Sequence, residues 1–251
     1  MSHIKNFSIL GCKIAAFTID EMLDAVINQS RRNSGGYVCF TNVHVAIMAR
    51  EDTTFKDIVN DSFLSVPDGK PIYWAGRIKG NKDIEQTPGP DFFPKLLSVA
   101  SSPPLKHYFY GGSQEVLDIL VEKVKLNYPD AEIVGAESPP FRELSNEEIE
   151  ASLNRICGAK PNFVWVGLGA PKQELWMAMH WQELKPAILF GVGAAFDFHA
   201  ETVQRTPRWA QRLGLEWLHR LLQEPGRLWK RYFYTNSAFL FYLLKDALFK
   251  K

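Results

Sequence analysis

Cysteine is scarce in this 251-residue chain. Cys12, Cys39 and Cys157 lie far apart, which excludes a disulfide framework and the paired spacing of a structural zinc site. No apolar run approaches the ~18 residues that a membrane-spanning helix needs, and the N-terminus carries no apolar signal core. A reducing cytoplasmic setting is the default that follows. Other absences narrow the chemistry. The chain has no Gly-x-Ser-x-Gly elbow, no P-loop, no His-x-x-x-His and no Asp-x-Asp. A divalent cation held on a nucleotide diphosphate by Asp-x-Asp is therefore not expected, and neither metal nor cofactor is assigned.

Charge is present but unevenly placed. The net charge is only +1, yet residues 203–251 hold ten Lys/Arg against three acids, and the rest of the chain holds nineteen against twenty-five. A basic end on an acidic body calls for an anionic partner: a membrane surface, a phosphorylated lipid or nucleic acid. In the same end, Trp209, Leu213, Trp217, Leu218, Leu221 and Leu222 recur near helical spacing with Arg208, Arg212 and Arg220 between them. Trp229–Tyr234 and Phe239–Leu244 follow. Apolar, aromatic and basic residues on short helices suit an element lying on a membrane surface. Two parts are expected, a core over 1–202 and a basic amphipathic appendage over 203–251.

The core reads as alternating strands and helices. A strand or hairpin is expected over Phe7–Ile14, then a helix over Asp20–Asn28 capped by Thr18. Strands are expected at Tyr37–Thr41, Phe63–Val66, His107–Tyr110, Glu132–Ala136, Phe163–Val166 and Ala187–Phe190. Helices are expected at Asn42–Glu51, Ile72–Ile78, Asp91–Ser101, Gln114–Asn127, Asn146–Cys157 and Pro171–Trp181. This rhythm predicts an α/β fold with a doubly wound, mostly parallel sheet, whose ligands bind beyond the carboxyl ends of the strands.

The chemistry-bearing residues fall at those ends. Phe163–Val166 runs into Gly167-Leu168-Gly169-Ala170-Pro171-Lys172-Gln173-Glu174, a strand, a Gly-rich turn and a helix start. Such a junction aims backbone N–H groups and a positive helix end at one spot, as a nucleotide or nucleotide-sugar site requires. The third glycine of a dinucleotide fingerprint is missing, which weakens an NAD-type oxidoreductase reading. Asp68 is a general base for a sugar hydroxyl, or a turn or cap residue. Asn42, after Thr41, orients an acceptor or caps a helix. Gly111-Gly112-Ser113 cradles phosphate or ribose, or forms a tight turn with a Ser cap. Gly193, within Gly191-Val192-Gly193, admits a ligand or packs against the sheet, and Asp197 accepts from ribose or base or pairs with an arginine. Arg220, Arg227 and Arg231 clamp a diphosphate or form a solvated basic face.

Together, Val66-Pro67-Asp68-Gly69, Gly167–Glu174, Gly191–Phe198, Arg205–Trp209 and Leu215–Leu221 resemble the WecG/TagA/CpsF family of bacterial glycosyltransferases, from about Phe7 to Leu244. The resemblance implies a Rossmann-like core and a C-terminal appendage that docks on the inner face of the cell membrane and completes the active site. It implies inverting transfer from a UDP-sugar to a polyprenyl-diphosphate-linked saccharide, with N-acetylmannosamine, its uronic acid or glucose as the sugar and no required metal. It places the base on Asp68, the acceptor-pocket asparagine on Asn42, the motif glutamine on Gln173 and the appendage arginines on Arg220, Arg227 and Arg231. Nucleic acid is not among the partners implied, and homo-oligomerisation stays open. Gln86 stands where many members carry arginine, and Phe40-Thr41-Asn42 replaces Thr-Pro-Asn. The Gln86 departure supports one alternative, a non-catalytic nucleotide-sugar-binding component of a polysaccharide assembly.

Overall fold

The computed structural model describes residues 4–249, apart from the side chains of Arg227, Ala247 and Phe249. A short hairpin opens the chain: β1 (Asn6–Ile9) pairs antiparallel with β2 (Cys12–Ala15). Leu10 and Gly11 between them both have positive φ, as a two-residue hairpin turn of matching twist requires. Helix α1 (Ile19–Arg31) follows, its start fixed by a capping box between Thr18 and Glu21.

Six strands form the main sheet: β3 (Gly36–Thr41), β4 (Leu64–Pro67), β5 (Lys106–Gly111), β6 (Glu132–Glu137), β7 (Phe163–Gly167) and β8 (Ile188–Gly191). Their order is β4-β3-β8-β7-β5-β6, and every neighbouring pair is parallel. The expected α/β sheet is present. Strands buried on both faces carry near-continuous apolar runs, because helices cover each face. Phe163, Trp165, Phe190 and Phe40 point to one face and meet Phe92, Phe93 and Phe196. Val164, Val166, Tyr37, Cys39 and Leu189 point to the other and meet Leu153, Ile156 and Met177. The period-two alternation thus splits one hydrophobic sequence between two layers.

The helices between strands are α2 (Val43–Glu51), α3 (Thr53–Asn60), α4 (Lys70–Ile78), α5 (Gly89–Leu97), α6 (Gln114–Asn127), α7 (Asn146–Ala159), α8 (Lys172–His180) and α9 (Ala195–Ala200). Helices α1, α5, α6 and α9 supply the first layer; α7 and α8 supply the second. Two differences from the sequence reading have local causes. Helix α3 was not expected; Asp52 ends α2 and caps α3 by accepting from the N–H groups of Thr54 and Phe55, so one residue separates two helices. The helix expected over Asp91–Ser101 begins two residues earlier and ends at Leu97. Pro90 is tolerated there because the first-turn N–H groups have no helical partner.

Beyond the sheet come α10 (Arg208–Arg212), α11 (Glu216–Gln223) and α12 (Pro225–Phe249). The last is one helix of 25 residues rather than a series of short ones. Among the described residues no helix is long and apolar enough to cross a membrane. Helix α12 is tied to α2: Phe239 is buried in the same cluster as Val45 and Ile47, Arg50 pairs with Asp246 at 3.0 Å, and the Tyr234 hydroxyl donates to Glu51 Oε1 at 2.5 Å.

Candidate active site

All six strands run the same way, so their carboxyl ends share one edge. Along it, in order, stand Asp68 after β4, Thr41 and Asn42 at β3, Gly191–Gly193 at β8, Gly167–Gly169 at β7 and Gly111–Ser113 at β5. Residues 150 positions apart in sequence become neighbours for that reason alone.

At the β4–β3 end, each contact on Asp68 has a traceable origin. Asn42 is the N-cap of α2, and its Oδ1 accepts from the N–H groups of His44 (3.0 Å) and Val45 (3.2 Å). Capping fixes which way the amide faces, and Nδ2 then donates to Asp68 Oδ2 at 3.2 Å. The cap and the functional reading of Asn42 are thus compatible. The Asp68 backbone is held as well: its N–H donates to Thr41 O at 3.1 Å, and its carbonyl accepts from Gln86 Nε2 at 2.6 Å. Gln86 fastens the main chain of Asp68. Thr41 is fully buried, with its hydroxyl 2.7 Å from that of Ser65 on the adjacent strand.

Asp68 keeps an opening to solvent although protein surrounds its carboxyl. Burial, with Glu216 adding like-charge repulsion, raises that carboxyl to about 7. Asn42, a backbone bond from Gly89 and the Arg220 charge act the other way. The result is a carboxylate that takes a proton near neutral pH, the condition that suits a general base.

The β8–β7–β5 end is organised by Gln173 in the first turn of α8. Its Nε2 donates to Gly191 O (2.7 Å) and Glu174 Oε1 (2.9 Å), and its Oε1 accepts from the N–H groups of Gly169 (3.1 Å) and Gly193 (3.0 Å). Two glycine N–H groups expected to face a ligand are instead bound by this amide. Glu174 is fully buried, and burial raises its carboxyl to about 7. Pro171 immediately precedes α8, and Lys172 at its first position is exposed.

The glycines divide into two kinds. A Cβ on Gly111 would stand 2.7 Å from the backbone of Gly167, and one on Gly167 would stand 2.6 Å from Phe196, so packing within the protein accounts for both. Gly169 has φ +76° with nothing near its missing side chain, which leaves open space beside the turn. Gly112 also has positive φ, and Ser113 caps α6 by accepting from Val116 N–H at 3.3 Å. Asp197 lies in the first turn of α9, and its carbonyl accepts from Thr202 and Val203.

The C-terminal helices bring cations to the opposite side. Arg220 on α11 acts on both Asp68 and Glu216, and its guanidinium lies 5.8 Å from the Phe198 ring centre. Arg231 on α12 faces His44; burial and that positive charge lower His44 to about 4. Arg227 belongs to α12, and its side chain lies outside the described residues. Three further residues were not singled out from sequence: Glu216, and the ion pair of Arg205 Nη1 with Asp91 Oδ1 at 2.7 Å. Arg205 and Asp91 are 114 positions apart, so no local pattern joins them, although both sit in distinctive stretches, Gly89-Pro90-Asp91 and Arg205-Thr206-Pro207. Among the described residues no cluster of three or more His, Cys, Asp or Glu is arranged to hold a metal ion.

Comparison with known proteins matches residues 7–251 to the model of the glycosyl transferase WecG/TagA/CpsF family. The chain belongs to the WecG/TagA/CpsF family. Its relatives include N-acetylglucosaminyldiphosphoundecaprenol N-acetyl-beta-D-mannosaminyltransferases. That of Bacillus subtilis (strain 168) is 29% identical over 228 residues, covering 91% of this chain and 85% of the relative. That of Bacillus spizizenii is 27% identical over 200 residues, with 80% and 76% covered. That of Staphylococcus aureus (strain MW2) is 25% identical over 234 residues, with 92% and 88% covered. This WecG/TagA/CpsF protein is accordingly a glycosyltransferase.

Proposed function

We propose that this glycosyltransferase moves an N-acetylmannosaminyl group from a UDP-linked donor to a polyprenyl-diphosphate-linked N-acetylglucosamine, inverting the anomeric centre, with Asp68 as base. The observation that carries the reading is the Asp68 carboxyl, aimed by Asn42 and raised to about 7 at the sheet edge. In the step, the carboxylate takes the proton of the acceptor hydroxyl. The hydroxyl oxygen bonds to the anomeric carbon while the bond from that carbon to the UDP oxygen breaks. The electron pair leaves with UDP, and one displacement converts an α-linked donor into a β-linked product. The relatives' names specify that β linkage and the lipid-linked acceptor. Charge developing on UDP is met by backbone dipoles of the Gly111 and Gly167 turns and by arginines of α11 and α12.

The exposed Trp209, Trp217, Leu222, Trp229, Phe233, Phe241 and Leu244 give α10–α12 an apolar surface, with basic residues among them. That pairing supports peripheral attachment to the inner membrane face, each Lys or Arg near anionic lipid adding about 1 kcal/mol. The binding-protein alternative rested on Gln86, whose bond to the Asp68 backbone supports the site rather than dismantling it.

The test is transfer in detergent from UDP-N-acetylmannosamine to a lipid-diphosphate N-acetylglucosamine, read by mass spectrometry beside Asp68→Asn. Product from the wild type, lost in the variant, is expected. Product that survives Asp68→Asn removes the base; UDP binding without product from any UDP-sugar revives the binding-protein alternative. A protein cut after residue 202 is expected to lose transfer to lipid acceptor, and full turnover by it would refute the role given to α10–α12.

A further inference from the structure

We infer that Arg205 is a substrate-contacting residue whose unpartnered guanidinium fork grips a pyrophosphate group in this cleft. Arg205 lies between α9 and α10 and is fixed at both ends. Its Nη1 bonds Asp91 Oδ1 at 2.7 Å. Its neighbour Thr206 is buried, with the hydroxyl 3.1 Å from His219 Nδ1 on α11 and the carbonyl accepting from Gln211 Nε2 at 2.5 Å. Thr206 thus stitches Arg205 to the helix that carries Glu216 and Arg220.

The remaining donors decide the matter. Nε and Nη2 of Arg205 are buried and find no hydrogen-bond acceptor among the described residues. In a guanidinium these two nitrogens point their hydrogens the same way and form the side-on fork that matches two oxygens of a phosphate or carboxylate. Asp91 takes the other nitrogen and leaves the fork intact. Buried donors without acceptors are costly, and native proteins retain them where a ligand completes the set. The charges nearby are those of the reaction centre: Arg205 acts on Glu216 and Asp68, as Arg220 does. Two guanidinium charges therefore act on the proposed base, one restrained by Asp91 and the other over Phe198. Two diphosphates belong to the proposed reaction, the donor's and the acceptor's. Which one the fork meets rests on the proposed function; the anion site itself does not.

The experiment uses the full chain in detergent, with inorganic pyrophosphate, UDP and uridine titrated by calorimetry into wild type, Arg205→Lys and Arg205→Gln. Lysine keeps the charge and can still reach Asp91 but has no fork; glutamine keeps a donor for Asp91 and loses the charge. Melting curves identify the variant that folds as wild type does. In it, pyrophosphate affinity is expected to fall about ten- to a hundredfold, the range of a lost charge-assisted pair. If UDP weakens similarly while uridine does not, the fork holds the donor's diphosphate. If UDP is unaffected and KM for the lipid-diphosphate acceptor rises with kcat held, it holds the acceptor's. Unchanged pyrophosphate, UDP and acceptor parameters overturn the inference, as does a wild type that binds neither pyrophosphate nor UDP. A wild type that transfers no sugar yet binds pyrophosphate through Arg205 refutes the proposed function and leaves the fork standing.

Discussion

Strands β3, β4, β7 and β8 are buried almost throughout, whereas α10, α11 and α12 leave most of their large apolar side chains exposed. Thr206, Ala210, Leu228, Thr235 and Phe239 are the buried residues of the described part of that segment. Both regions face the same carboxyl. The sheet edge supplies groups whose positions are enforced by packing and capping: Asp68, Asn42 and Gln173. The C-terminal helices supply positive charge, which acts over a longer range and tolerates looser placement. Placement is thus entrusted to the buried half and charge compensation to the exposed half.

The largest effect should come from the proposed base. Asp68→Asn is expected to lower kcat about 10³-fold, within the usual range for a general base. The same change should stabilise the protein at alkaline pH. The folded carboxyl titrates near 7 against an ordinary 3.8, so its ionisation costs stability as pH rises through that interval, at most about 4 kcal/mol. Thermal melts should show the variant more stable at pH 8 and indistinguishable from wild type at pH 4. A variant less stable at pH 8 would deny that Asp68 is strained by burial.

Next is the frame of the sheet edge. Gly111→Ala places a Cβ against the Gly167 backbone at a φ of +115°, and should cost about 3 kcal/mol in urea denaturation. Gly169→Ala has open space and only its φ of +76° to oppose it, so about 1 kcal/mol is expected. Equal losses would dissolve the division between glycines required by packing and glycines beside open space.

The exposed half should tune rather than build. Glu216→Gln removes a like charge from Asp68 and should move the acid limb of the pH–rate profile down by roughly half a pH unit. Arg220→Gln removes a compensating charge and should move it up by a similar amount. Shifts of one sign in both variants would mean that the limb belongs to another group. The smallest effect on folding is expected from Trp229→Ser with Phe233→Ser. Both side chains are exposed, so stability should change by under about 0.5 kcal/mol each, while sedimentation with anionic vesicles falls several-fold. Undiminished vesicle binding would move the membrane contact elsewhere.

Much of this was legible in the sequence because it is local. Alternation of apolar strands with helices gave the parallel sheet, and Asp68, Asn42 and Gln173 were each marked by a strand end. What escaped was of two kinds. Asp52 serves as stop and start at once, so the helix to Glu51 was expected while α3 beyond it was not. Arg205–Asp91 and the approach of Glu216 to Asp68 depend on how distant segments fold over one another, and nothing in the spacing of 91, 205 and 216 announces that. Glycines were ambiguous for a related reason: Gly111 and Gly169 look alike until the neighbouring strand and the empty space are seen.

The amide of Gln173 has a consequence for what can drift at this site. It uses both donors and both lone pairs on four partners drawn from two strand–helix turns. Glutamate would keep the acceptor and lose the donors, methionine would lose both, and asparagine would fall a methylene short. Few single substitutions preserve the joint, so it acts as a ratchet on divergence. Gly169, hydrogen-bonded to it yet facing open space, is where bulk can be added without unpinning the two turns. Drift has room there while Gln173 stays fixed.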